Sequence, residues 1–155
     1  MCEGREAAGK VTPKEWIIMG TAFVAMVLAA SLNCLTLANA TGVKALARWE
    51  KNDYAGAAQL EKEAATRLEQ CLAHYPHELN GPSRQRIGQL FMYAGEYASD
   101  NAEWQSARLS LVHAKNIFAQ LRTSGALDRG SFDEVLLDAH RTDSDLAKVD
   151  EKVRI

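Results

Sequence analysis

Between Glu15 and Lys44 the chain carries no charged residue, and residues 17–37 form a run of 21 uncharged, mostly apolar side chains. In a helix, at ~1.5 Å per residue, such a run reaches ~30 Å, the thickness of a bilayer's hydrocarbon core. A chain of 155 residues has too little interior to surround it in water. Two readings remain. The run is a retained membrane anchor, or it is a signal segment cut after "ANA", behind Ala40.

The start of the run favours the anchor. Thr12-Pro13-Lys14-Glu15 fits a capping box, with Thr12 as N-cap and Glu15 reaching back to it. Val11 and Trp16 then fall at the two hydrophobic-staple positions, and an indole at Trp16 suits headgroup depth. Small residues at Ala38 and Ala40 fit a cleavage site, but the apolar stretch exceeds the ~7–15 residues of a signal h-region. The expected division is an N-terminal tail over 1–11, an anchor helix over 12–40 with residues 16–37 in lipid, and a soluble domain over 41–155. Arg5, Lys10 and Lys14 on one side balance Lys44, Arg48 and Lys51 on the other, so the positive-inside rule gives a tie. A short tail ahead of the bulk of the chain leaves the tail in the cytoplasm and places the soluble domain on the exported side.

Within the anchor, Ala22, Ala25, Ala29 and Asn33 share one helical face. Small side chains let helices approach closely, and an amide in lipid seeks a partner. This stripe is a candidate membrane contact surface.

The rest of the chain is rich in Ala, Leu, Glu, Arg and Gln, strong helix formers. No segment alternates with period two, so the expected fold class is all-α. Helices are expected over 41–51, 54–75, 83–99, 103–122 and 132–152. The connectors "PHELNGP" and "TSGALDRGS" separate them, and Ser131-Phe132-Asp133-Glu134 reads as a capping box. Trp104, Ala107, Leu111, Ala114, Phe118 and Leu121 fall on one face of the fourth helix; Val135, Ala139, Thr142, Leu146 and Val149 do so on the fifth. These stripes read as core between antiparallel helices. Cys34 lies in the apolar run, which leaves the soluble part with Cys71 alone and excludes a disulfide within that part.

Phe91, Gly95, Trp104, Ala107, Leu111 and Ala114 have the spacing of a helical hairpin in which a glycine and alanines allow close approach and aromatics fill the space beside them. In this they resemble a tetratricopeptide repeat. A weaker unit precedes it. Asn52-Asp53-Tyr54 is similar to the turn before the second helix, with Ala57 and Ala64 in place, but Ala45 replaces the glycine and Glu61 the large apolar residue. Tyr54 and Trp104 are 50 residues apart, against ~34 for the family. The resemblance implies a concave surface lined by the first helix of each hairpin: Gln89, Met92, Glu96 and Ser99 in the better unit, and Leu46, Trp49 and Glu50 in the poorer one.

No residue set announces a reaction. Cys71, His74 and His77 have ligand-like spacing, but Pro76 interrupts them and no fourth ligand follows. No phosphate loop, CxxC, HExxH or GxSxG is present. A net charge of −2 and the small Arg84/Arg86 spot argue against nucleic acid. The expectation is therefore a protein with no catalytic residues, metal or cofactor. It would bind other proteins, chiefly membrane subunits, through Gln89, Met92, Glu96, Ser99 and Trp49 on the soluble face and through Ala22, Ala25, Ala29 and Asn33 in the bilayer. Scaffolding or assembly of a membrane complex is the leading expectation. An accessory subunit of a membrane enzyme and a cleaved secreted helical binding protein are the alternatives, and self-association is open.

Overall fold

A computed structural model describes residues 33–73, 81–125 and 127–154. Five helices make up this part: α1 over 33–49, α2 (Tyr54–Leu72), α3 (Gly81–Asp100), α4 (Trp104–Ser124) and α5 (Arg129–Val153). Among the described residues there is no strand, as the helical composition leads one to expect. Successive helices pack as antiparallel neighbours, α2 on α3, α3 on α4 and α4 on α5. Side chains also bridge α1 to α3, α3 to α5 and α2 to α4. The result is two layers, with α1, α3 and α5 in one and α2 and α4 in the other.

The connections within the two hairpins are the same turn, displaced by 50 residues. Asn52 and Ala102 take left-handed φ values of 61° and 58°. The next residues, Asp53 and Glu103, sit at φ/ψ of −87°/66° and −85°/62°. Asn52 N–H donates to Trp49 O at 2.8 Å, and Ala102 N–H to Ser99 O at 3.0 Å. Asp53 caps α2 by accepting from Gly56 N–H at 3.0 Å.

The hairpins differ in how their helices meet. In the second, glycines receive large side chains. A Cβ on Gly95 would lie 2.6 Å from Leu111 Cγ, and one on Gly88 would lie 2.5 Å from Phe118 Cε1. Leu111 and Phe118 are thereby fully buried. In the first, small residues face small residues: Ala38 and Ala45 of α1 are buried, as are Ala57, Ala64 and Ala65 of α2. Short side chains let the backbones approach but bury little apolar area.

Several expected boundaries are corrected. Residues 33–40, assigned to the anchor, belong to α1, which runs without a break through Ala40 and Thr41. No breaker interrupts it there, and Thr41 Oγ1 donates to Leu37 O at 3.0 Å inside the helix. Cys34 and Cys71 are joined in a disulfide between α1 and α2, with Cα atoms 6.5 Å apart, so a cystine does staple the helical domain. Sequence reasoning missed it by assigning Cys34 to lipid. Helix α2 ends at Leu72, short of the expected residue 75. Helix α5 begins at Arg129, ahead of the expected capping box, because Asp128 accepts from Ser131 N–H at 2.8 Å. That hydrogen bond holds the Asp128 carboxyl below the usual range. Among the described residues no helix is long and apolar enough to cross a membrane. The expected span over 12–40 falls mainly on residues 1–32, outside the described part, as do Ala22, Ala25 and Ala29.

Candidate functional site

The residues expected to meet a partner on the soluble face lie on the layer of α1, α3 and α5, with one exception. Met92 is 0% exposed and belongs to the core. An unbranched apolar side chain on the inner side of α3 is worth more in the interior than at a rim.

Trp49 ends α1 and is 38% exposed. Its indole N–H donates to Asp100 Oδ2 at 2.8 Å. The ring stacks on Tyr97 at a centroid distance of 6.1 Å and meets Tyr54 edge-on at 6.4 Å. Tyr97 continues to Tyr93, one helical turn away, at 6.3 Å. The Arg141 guanidinium from α5 lies over Tyr93, 5.4 Å from its centroid. A row of four aromatic rings closed by a cation thus crosses from the first hairpin to the last helix.

Acids line the row. Arg141 Nη2 donates to Glu96 Oε2 at 2.6 Å, and its Nε lies 2.6 Å from Oε1 as an ion pair that is not aligned as a hydrogen bond. Burial pushes the Glu96 carboxyl up to about 7, with Arg141 pulling the other way. Burial, together with the charges of Glu61 and Glu96, pushes the Tyr97 phenol up to about 12, so its hydroxyl keeps its proton at neutral pH. Further along α3, Gln89 Nε2 donates to Asp138 Oδ2 and Gln85 Nε2 to Glu134 Oε2, both at 3.0 Å. Ser99 is half-buried, and its carbonyl accepts the turn hydrogen bond from Ala102. Leu46 and Glu50 are exposed beside Trp49. Asn33 is exposed at the described start of α1.

Sequence reasoning placed Trp49, Gln89, Glu96 and Ser99 on this layer but missed Tyr93, Tyr97, Asp100 and Arg141. The four-residue step from Tyr93 to Tyr97 was a visible signal for a ring pair on one helix face. The pairing of α3 with α5 depends on the order in which the helices pack, which no local pattern states.

An apolar groove of about 380 Å³ opens between α1 and α2 beside the disulfide, lined by Cys34, Leu37, Ala38, Thr41, Leu68 and Cys71 among others. Leu37 on its lip is 57% exposed. Among the described residues no group of three or more His, Cys, Asp or Glu side chains is placed to hold a metal ion.

Comparison with protein-family models, curated proteins and solved structures finds no match to this chain.

Proposed function

We propose that this chain is a membrane-tethered adaptor, anchored through the part of its apolar run ahead of residue 33, that presents a small domain of tetratricopeptide-like hairpins on the exported side and binds protein subunits through the aromatic and acidic face of α1, α3 and α5. Its work is to assist the assembly or organisation of a membrane complex. The observation that carries this reading is the join between the apolar run and the domain. Ala38 is buried and Cys34 is bonded to Cys71, so the stretch ahead of Ala40 is part of the domain's own structure. Cleavage after Ala40 would remove both. A disulfide also fits an oxidising compartment, which supports an exported domain. The glycine contacts of Gly95 with Leu111 support the hairpin likeness.

The test is an intact-mass measurement on protein extracted from membranes without reductant. A full-length chain with one internal disulfide is expected. A mature protein beginning at Thr41 overturns the reading. Binding through the aromatic row is tested by placing a photo-crosslinking residue at Trp49 or Glu96. Crosslinks to a membrane subunit are expected from these sites and not from Lys62, exposed on the layer of α2 and α4.

A second reading, an accessory structural subunit of a membrane enzyme, is favoured by the apolar groove with Leu37 on its lip. Under it, Leu37→Glu releases the subunit while Trp49→Ala leaves it bound.

A further inference from the structure

Glu61 stands where the second hairpin has Leu111, 50 residues on. It is 2% exposed, deep among alanines of α2 and α1. Its Oε2 has no hydrogen-bond partner, and neither does the buried Nε of Arg86 on α3. The two side chains converge on one spot on α1, where residue 42 is glycine. A Cβ there would lie 2.6 Å from Arg86 Nη2 and 3.6 Å from Glu61 Oε1. The missing side chain is what gives the guanidinium its way toward the carboxylate. The same Arg86 points a second nitrogen outward, Nη1 donating to Gln89 Oε1 at 3.4 Å, and Gln89 in turn holds Asp138 of α5. Arg86 is thus shared between a buried acid and the polar face.

We propose that Glu61 is a proton-controlled switch within the fold: ionised, it draws Arg86 inward across Gly42, and protonated, it leaves Arg86 to Gln89 and Asp138 on the α3–α5 face. The charge acting on Glu61 comes from α3, where Arg86 favours its ionised form; Tyr97, on the same helix, is itself raised in part by the charge of Glu61. From α1 the neighbour is Gly42, which carries no charge. Burial outweighs Arg86 and pushes the carboxyl up to about 7, which puts the change of state within the ordinary pH range. A folded-state value above the unfolded one means that the folded chain holds the proton more tightly. Stability is therefore lost as pH rises through about 7, when an ionised, incompletely paired acid remains in the interior.

The proposal is independent of any partner and is tested on the full-length protein in detergent by urea unfolding between pH 5 and pH 8.5. Burial raises Glu96 to about 7 as well, so the comparison is made in a Glu96→Gln background, where the midpoint concentration is expected to fall as pH rises and added Glu61→Gln to abolish that transition. Arg86→Gln and Gly42→Ala, which remove or push back the guanidinium, are expected to move it to higher pH. His113→Gln, which removes the imidazole bonded to Glu69, leaves it in place. Native-state hydrogen exchange at pH 8 is expected to be faster in α1 of the wild type than of Glu61→Gln. In the Glu96→Gln background, a slope that survives Glu61→Gln would assign the titration to another group and overturn the proposal. A transition that neither Arg86→Gln nor Gly42→Ala moves also overturns it, as does a wild-type midpoint that does not vary with pH.

Discussion

Breaking the Cys34–Cys71 disulfide is expected to cost this domain more than any single apolar truncation in its first hairpin. The bond closes a loop with a sequence separation of 37 residues. Chain-entropy arguments put the stabilisation from such a loop at about 4 kcal/mol, with typical measured values of about 2–4. Against a total of about 5–15 kcal/mol for a small domain, that is a large share. Apart from Trp49, which docks the far end of α1 on Tyr97 and Asp100, the helix has little else to hold it. Its buried side chains are Ala38 and Ala45, with Gly42 between them and Leu35 partly buried. Removing the bond should therefore detach α1 before the rest unfolds, while the large contacts between α3 and α4 persist. The assay is urea unfolding of the full-length protein with and without reductant, beside the double variant Cys34→Ser/Cys71→Ser. At about 1–3 kcal/mol per molar urea, the midpoint should fall by about 1–3 M. Equal midpoints for oxidised, reduced and double-variant protein, with the disulfide verified by mass, would refute the reasoning. They would show that α1 is held by contacts too small, on this structure, to do so.

Three further outcomes are expected. Glu61→Leu restores the residue type of Leu111 and removes a buried acid whose value is raised from 4.5 to about 7; it should stabilise the protein by about 3 kcal/mol at pH 8 and far less at pH 4, measured by urea unfolding at both. Gly95→Val drives a branched side chain into Leu111, which already meets the glycine at 2.6 Å from an ideal Cβ; a loss of about 1–3 kcal/mol or more is expected, and an unchanged melting temperature would deny the close approach of α3 and α4. Ala102→Gly relieves a left-handed φ of 58° and should raise stability by about 0.5–1 kcal/mol, whereas Gly125→Ala, at φ 63° on the C-terminal side of α4, should lower it by a similar amount.

The helices of the second hairpin and of α5 were legible because their stripes are both local and apolar. Ala107, Leu111, Ala114 and Phe118 recur at steps of three and four, and all four are buried. Gly95 was legible as a contact because a glycine inside a helix pattern costs stability unless something approaches it. The first hairpin was harder. Its buried face is built of Ala and Gly, which mark a close approach without naming the partner. Residues 33–40 carry the hydropathy of a membrane segment, and hydropathy alone cannot separate burial in lipid from burial against α2. Cys34 was lost to that ambiguity. The candidate site was half legible. Trp49 and Glu96 follow from hairpin spacing, but Asp100 and Arg141 matter through contacts to α1 and α3 that only the tertiary order creates. Met92 was misplaced because its helix face turns inward where the resemblance led it to a rim.

The contrast between the hairpins bears on what the first one is for. Built like the second, with Leu at 61 and a large residue at 42, it would be held by apolar packing and would need no disulfide. Instead it carries a fully buried acid, a glycine that admits an arginine, and alanines along its seam. Each choice weakens the noncovalent hold of α1 on the rest, and the Cys34–Cys71 bond keeps α1 attached in spite of them. The bond sits near the described start of α1, while Trp49 docks its other end on Tyr97 and Asp100. Between those two fixed points lie Gly42 and, facing it, Glu61 and Arg86, where the hold changes with one proton. A helix pinned at both ends and adjustable in the middle can shift against α3 without leaving the domain. That arrangement would let the state of the first hairpin be felt at Gln89 and Asp138, on the face proposed to meet a partner. If this is the purpose of the weak seam, Glu61→Leu should give a more stable protein whose crosslinking from Glu96 no longer varies between pH 6 and pH 8, whereas the wild type's should.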